Sequence, residues 1–143
     1  MASRPWATLG LVALLAGCGD SDPSPGKKAP APRAVCGYAA TATLPTDVAQ
    51  VLPGRPAVLT SENLADGGSH VTTLVDLRFR PAFDTILRRA ASSGWTVEDR
   101  ERENTDAELE LTRDAQRMSL RLSLPHLPGC VATRADVVFT PQG

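Results

Sequence analysis

Residues 71–97 read VTTLVDLRFRPAFDTILRRAASSGWTV, and the spacing of apolar side chains changes twice within them. Val71, Thr73, Val75, Leu77 and Phe79 share one face of an extended chain, with Thr72, Asp76, Arg78 and Arg80 on the other and Leu74 as the exception, so a strand is expected. From Pro81 the period lengthens. Phe83, Ile86, Leu87, Ala90 and Ala91 fall at i, i+3, i+4, i+7 and i+8, which predicts an amphipathic helix over 81–93. Proline suits a first helical position, Arg88 and Arg89 favour the C-terminal end of the helix dipole, and Gly94 is a stop signal. Trp95 and Val97 then resume an alternating pattern.

Downstream, Ala107, Leu109 and Leu111 alternate with Glu108 and Glu110, and Met118, Leu120, Leu122 and Leu124 alternate with Ser119, Arg121 and Ser123. A turn centred on Asp114-Ala115 pairs Leu111 with Met118, Leu109 with Leu120 and Ala107 with Leu122, all on one face, and sets Glu108 opposite Arg121. Residues 99–106 are charged and read as an exposed connection, and 130–139 as a last strand. Upstream, Cys36, Tyr38, Ala40, Ala42 and Leu44 alternate until Pro45. Pro53-Gly54-Arg55-Pro56 marks a turn, and 57–60 is a short strand. Strands around a single main helix predict an α+β fold: an antiparallel sheet of about five to six strands with one helix, about 81–93, packed on one face.

Charge and cysteine content narrow the functional classes. The formal net charge is −1 in 143 residues, and basic residues interleave with acidic ones, so no basic stripe invites nucleic acid. Cys36 and Cys130 form an even pair at the two ends of the folded part and are expected to be joined by a disulfide, which would bring the first and last strands together.

The N-terminus supplies the reason to expect an oxidising compartment. A basic start (Met1 to Arg4), an apolar run (Trp6 to Ala16) and small residues before Cys18 describe a secretory signal peptide, 1–17, too short to span a bilayer. Leu15-Ala16-Gly17-Cys18 resembles the lipobox of bacterial lipoproteins. That resemblance implies a diacylglycerol thioether on Cys18, with acyl chains such as palmitate, and cleavage on its N-terminal side. The protein is then expected to be anchored by lipid at the cell membrane, facing the extracytoplasmic side. Gly19 after the cysteine resembles outer-membrane sorting signals, should the host be Gram-negative. Residues 18–33 carry four prolines and almost nothing to bury, which reads as a tether reaching up to roughly 45 Å in polyproline II form. Residues 34–143 are expected to form one α+β domain.

The order of tether, Leu52-Pro53-Gly54 turn, strand, helix ending Ser93-Gly94-Trp95-Thr96-Val97, Asp106-Ala107-Glu108 strand and Pro128-Gly129-Cys130 resembles uncharacterised actinobacterial lipoproteins. It implies no particular activity.

Motifs for chemistry are sparse. His70 and His126 lack the spacing of a zinc site and read as loop residues, so no metal and no cofactor is expected. No nucleophile elbow, phosphate loop or dinucleotide fingerprint occurs. Asp66-Gly67-Gly68-Ser69 precedes a strand and reads as a turn. Glu98, Asp99, Glu101, Glu103 and Asp106 lack calcium-loop order and are interrupted by Arg100 and Arg102. No catalytic residue is assigned. The expectation is a noncatalytic binding or scaffold module whose partner is an envelope protein or wall polymer. The alternative is an inhibitor or accessory subunit of an envelope hydrolase, projecting a rigid loop such as 66–70 or 125–129.

Overall fold

The computed structural model describes residues 34–39 and 43–141. The expected signal peptide over 1–17, Cys18 and the expected tether to residue 33 lie outside the described residues, as does part of the strand expected over 36–44. The elements are α1 (Thr46–Val51), β1 (Ala57–Asn63), β2 (Ser69–Val75), α2 (Phe79–Ser92), β3 (Thr96–Arg102), β4 (Asp106–Arg113), β5 (Gln116–Ser123) and β6 (Thr133–Thr140). The strands form one antiparallel six-stranded sheet in the order β1-β2-β6-β5-β4-β3. The main helix α2 packs on β3, β4 and β5, and α1 packs against α2.

Alternation decides which side of the sheet is covered. Val71, Val75, Ala107, Leu109, Leu111, Met118, Leu120, Leu122, Ala135, Val137 and Phe139 are buried, and all but Val71 join Ile86, Phe83 and Ala90 of α2 and Val48 and Val51 of α1 in one core cluster. Each of these large side chains contributes on the order of 1.5–3 kcal/mol when fully buried. The β4–β5 register matches the sequence expectation: Leu111 faces Met118, Leu109 faces Leu120, Ala107 faces Leu122 and Glu108 faces Arg121. Asp114, the first turn residue, has a φ of 53°, a conformation that aspartate tolerates better than most side chains.

The main helix starts earlier than its sequence pattern suggests. Strand β2 stops at Val75, and Phe79 opens α2 instead of closing the strand. Pro81 thus sits in the first turn without breaking a hydrogen bond, because the intrahelical ladder begins with the Ala82 amide donating to the Arg78 carbonyl at 2.9 Å. At the other end the Trp95 amide donates to the Ala90 carbonyl and that of Gly94 to Ala91, at 2.9 and 3.2 Å, with Gly94 at φ 80°. This is a Schellman cap, and it requires the left-handed backbone that glycine supplies.

Four expectations are corrected. No strand runs from Cys36. Instead, Val35 and Tyr38 bridge across a tight turn in which Cys36 and Gly37 both have positive φ, at 51° and 85°, the pattern of a type I′ turn. Residues 46–51 form a short helix, α1, whose Val48 and Val51 are buried. Its single apolar pair is too short a pattern to register as helical in a window of 11–18 residues. The charged 99–106 segment is not all connection. Residues 99–102 belong to edge strand β3, whose charges discourage pairing with another chain. Finally, Cys130 lies before β6, which begins at Thr133, so the disulfide joins a turn to a loop and not the first strand to the last.

The Cys36–Cys130 disulfide, with Cα atoms 5.3 Å apart, closes over a second small apolar cluster. Val35, Ala57, Leu74 and Ala132 are buried there, with Leu59, Leu127 and Cys130 against them. Leu74, the residue that broke the alternation, faces this cluster on the side of the sheet away from the helices. Because the bridge spans 94 residues of chain, its loss should be large. The Cys36→Ala/Cys130→Ala double variant is expected to lose about 4 kcal/mol of unfolding free energy in urea denaturation, in line with chain-entropy restriction of the unfolded state. A loss below about 1 kcal/mol would show that the N-terminal turn does not depend on the bridge.

Candidate functional site

Among the described residues, two surfaces bear on function: the sheet face opposite the helices, and a groove beside the first turn of α2. On the sheet face, Asp99 and Glu101 of β3 lie directly opposite Glu110 and Glu108 of β4, a like-charge pairing that costs stability. The next strand offsets it. Arg121 lies 3.7 Å from Glu108, Arg117 lies 3.7 Å from Glu110, and the Ser119 hydroxyl donates to Glu110 at 2.6 Å. All four arginine and glutamate side chains in these pairs are solvated, so each pair contributes at most about 1 kcal/mol. The four carboxylates border a shallow cavity of about 190 Å³. Among the described residues no group of three or more His, Cys, Asp or Glu side chains could hold a metal ion.

Asp136 is the best-satisfied charge on that face. Arg134 donates to its two oxygens at 2.9 and 3.1 Å, and the Thr72 hydroxyl donates to it at 2.6 Å. Burial by itself pushes this carboxyl upward. The Arg134 and Thr72 hydrogen bonds, with the Arg134 and His70 charges, outweigh that and hold it below the usual carboxylate range. His70 is a strand residue of β2, not a loop residue; it pairs with Glu62 on one side and Val138 on the other. His126 is in the exposed loop before Cys130.

Neighbouring polar contacts brace the fold. The Arg113 guanidinium pairs with Asp47 of α1, donates to Gln50 at 3.0 Å and to the Ser93 carbonyl at 3.2 Å, and stacks 4.5 Å from the Trp95 ring centroid. One side chain thus joins α1, the end of α2 and the β4–β5 hairpin. Arg102 lies over the Phe83 ring at 5.3 Å and 3.8 Å from Asp84.

The groove lies between the start of α2 and the loop around Cys130. Its lining includes apolar Phe79, Pro81, Leu124, Val131 and Ala132 together with polar Arg78, Arg80 and Asn104, around a volume of about 520 Å³. No side chain caps α2, and its first turn holds no acidic residue. No sequence motif marks this site. Alternation puts Leu124 on the buried face of β5, but the strand ends at Ser123 and Leu124 is 45 % exposed.

No protein-family model matches the chain, and no curated protein sequence or solved structure matches it. The local geometry therefore carries the functional argument. Of the residues singled out in the sequence, Cys36 and Cys130 come together, whereas Cys18 lies outside the described residues. Of the loop expected over 66–70, residues 66–68 belong to a compact hairpin turn over 64–68, and Ser69 and His70 already belong to β2. The Leu64 amide donates to the Gly68 carbonyl at 2.9 Å, and the Gly68 amide donates to Asp66 at 2.9 Å. A Cβ at Gly68 would stand 2.5 Å from the Phe139 carbonyl oxygen, so glycine is required for close approach to β6. Among the described residues no helix is long and apolar enough to cross a membrane.

The Asp136 contacts predict a pH signature. A carboxyl whose folded-state pKa is depressed adds stability above its unfolded value of about 3.9, and that stability is lost as pH falls through the folded value. Asp136→Asn is expected to cost about 1 kcal/mol at pH 7, with the difference from the parent protein closing below about pH 4. Thermal unfolding across that range measures it, and a pH-independent difference would contradict the assignment.

Proposed function

We propose that the protein is a noncatalytic binding or scaffold module of the bacterial cell envelope, anchored through lipid on Cys18 with its 34–143 domain on the extracytoplasmic side. The observation that carries this reading is the Cys36–Cys130 disulfide, since stable structural disulfides belong to oxidising compartments. An export signal ending in Leu15-Ala16-Gly17-Cys18 is a route to such a compartment. Two acyl chains at one cysteine give durable attachment where a single chain gives marginal binding.

The polar sheet face supports binding over catalysis. Its most perturbed carboxyl, Asp136, is engaged by Arg134 and Thr72, an arrangement that holds a permanent charge and does not poise a proton for transfer. A tether of residues 18–33 would let the domain reach an envelope protein or wall polymer some distance from the lipid surface.

Comparison of the native chain with Cys18→Ala in its own host tests the reading, by membrane fractionation, intact mass and in-cell crosslinking. The native protein should sediment with membranes, carry an acylated N-terminal cysteine and crosslink to an envelope component. The variant should be released from membranes. An unacylated native chain, or a variant that stays membrane-bound, would contradict the proposal.

A further inference from the structure

The groove beside α2 has two chemically different ends. One is apolar, formed by Phe79, Pro81, Leu124, Val131 and Ala132. Leu124 and Val131 expose 45 % and 60 % of their surface, although the core offers them no role there. The other end opens into a second cavity of about 540 Å³, lined by Arg80, Arg102, Glu103, Asn104 and Thr105. The two cavities share Arg80 and Asn104. Arg78 and Arg80 have no acidic partner among the described residues. Arg102 leans towards Asp84, and among the described residues Glu103 is the single carboxylate lining either cavity.

From this polarity we infer that the groove binds a single-chain amphiphile with an anionic head group, its chain along Leu124 and Val131 and its carboxylate or phosphate against Arg78 and Arg80. The inference deepens the binding-module reading and rests on it for the setting in which such a ligand is met. Charge complementarity selects the head: with Arg102 drawn to Asp84, Arg78 and Arg80 against Glu103 still favour an oxyanion, and the planar guanidinium matches its paired oxygens. Polarity selects the tail. An alkyl chain matches the apolar wall of Leu124 and Val131 and carries no polar group to desolvate. The apolar cavity also falls within the roughly 300–1,000 Å³ of small-molecule sites. The ligand is one free molecule in a groove, not a bilayer surface.

The test uses the full chain carrying Cys18→Ala, so that no attached lipid competes. A fluorescent undecanoate reports binding, with competitors kept below their micellar concentrations. Dodecanoate should displace the probe saturably, and dodecyltrimethylammonium should be at least about tenfold weaker. Val131→Asp should weaken dodecanoate by about tenfold, and Val131 is exposed enough for the fold to be unaffected. The Arg78→Ala/Arg80→Ala variant should weaken dodecanoate but not dodecanol. Arg88→Ala, on the exposed surface of α2 away from both cavities, should change nothing. Absence of saturable binding, equal affinity for the cationic amphiphile, or indifference to Val131→Asp would overturn the inference. Failure here with Cys18-dependent membrane attachment intact would remove this ligand and leave the anchored module standing. Binding here with no Cys18-dependent attachment would remove the anchor and leave the groove.

Discussion

The sixth strand, β6, joins the sheet into one body. It pairs with β2 along Thr133–Phe139 and with β5 along Arg134–Thr140. Without it, the β1–β2 hairpin and the β3–β4–β5 meander share no ladder among the described residues. Their amides and carbonyls along those edges would be left to water, and Ala135, Val137 and Phe139 would leave the core beneath α2. Of the two partners of β6, β2 lies far upstream and β5 nearby, so the sheet is completed only when β6 is in place. Such non-local pairing must overcome loop-closure entropy before it is rewarded.

One-sided burial follows from this arrangement. The helices cover the face on which Leu109, Leu120 and Val137 line up in register, and the opposite face is left to charges. There the strands carry their own compensation: acidic β3 and β4 lie beside the Arg117 and Arg121 of β5, and Asp136 is held by Arg134 and Thr72. Among the described residues the open face is capped at one end, where the disulfide holds Val35 and Ala132 near Leu74 and Ala57. The groove next to that cap exists because the 124–132 segment leaves the sheet to reach Cys130 and returns into β6, carrying Leu124 and Val131 outward.

Much of this was legible in the residues. The β4–β5 register followed from alternation alone, since a slip by one residue would have turned Leu109, Leu111, Met118 and Leu120 to solvent. The extent of α2 was read to within two residues at its start, where a strand-like Phe79 concealed the first turn. Helix α1 was missed because six residues offer one apolar pair, and β3 was cut short because an exposed edge strand shows no alternation of burial to read. The order of strands was not legible, for periodicity says which face a residue takes and not which strand lies beside it. The groove was hidden for a similar reason: its wall is assembled from Phe79, Leu124 and Val131, which are neighbours only after β6 has inserted.

The central position of β6 is tested most directly by amide hydrogen exchange on the disulfide-intact chain. The account predicts that the amides of β6, paired on both sides, exchange only through global unfolding, while those of edge strand β3 exchange through local opening with a smaller free energy. Protection of β6 no greater than that of β3 would contradict the insertion of the last strand between β2 and β5.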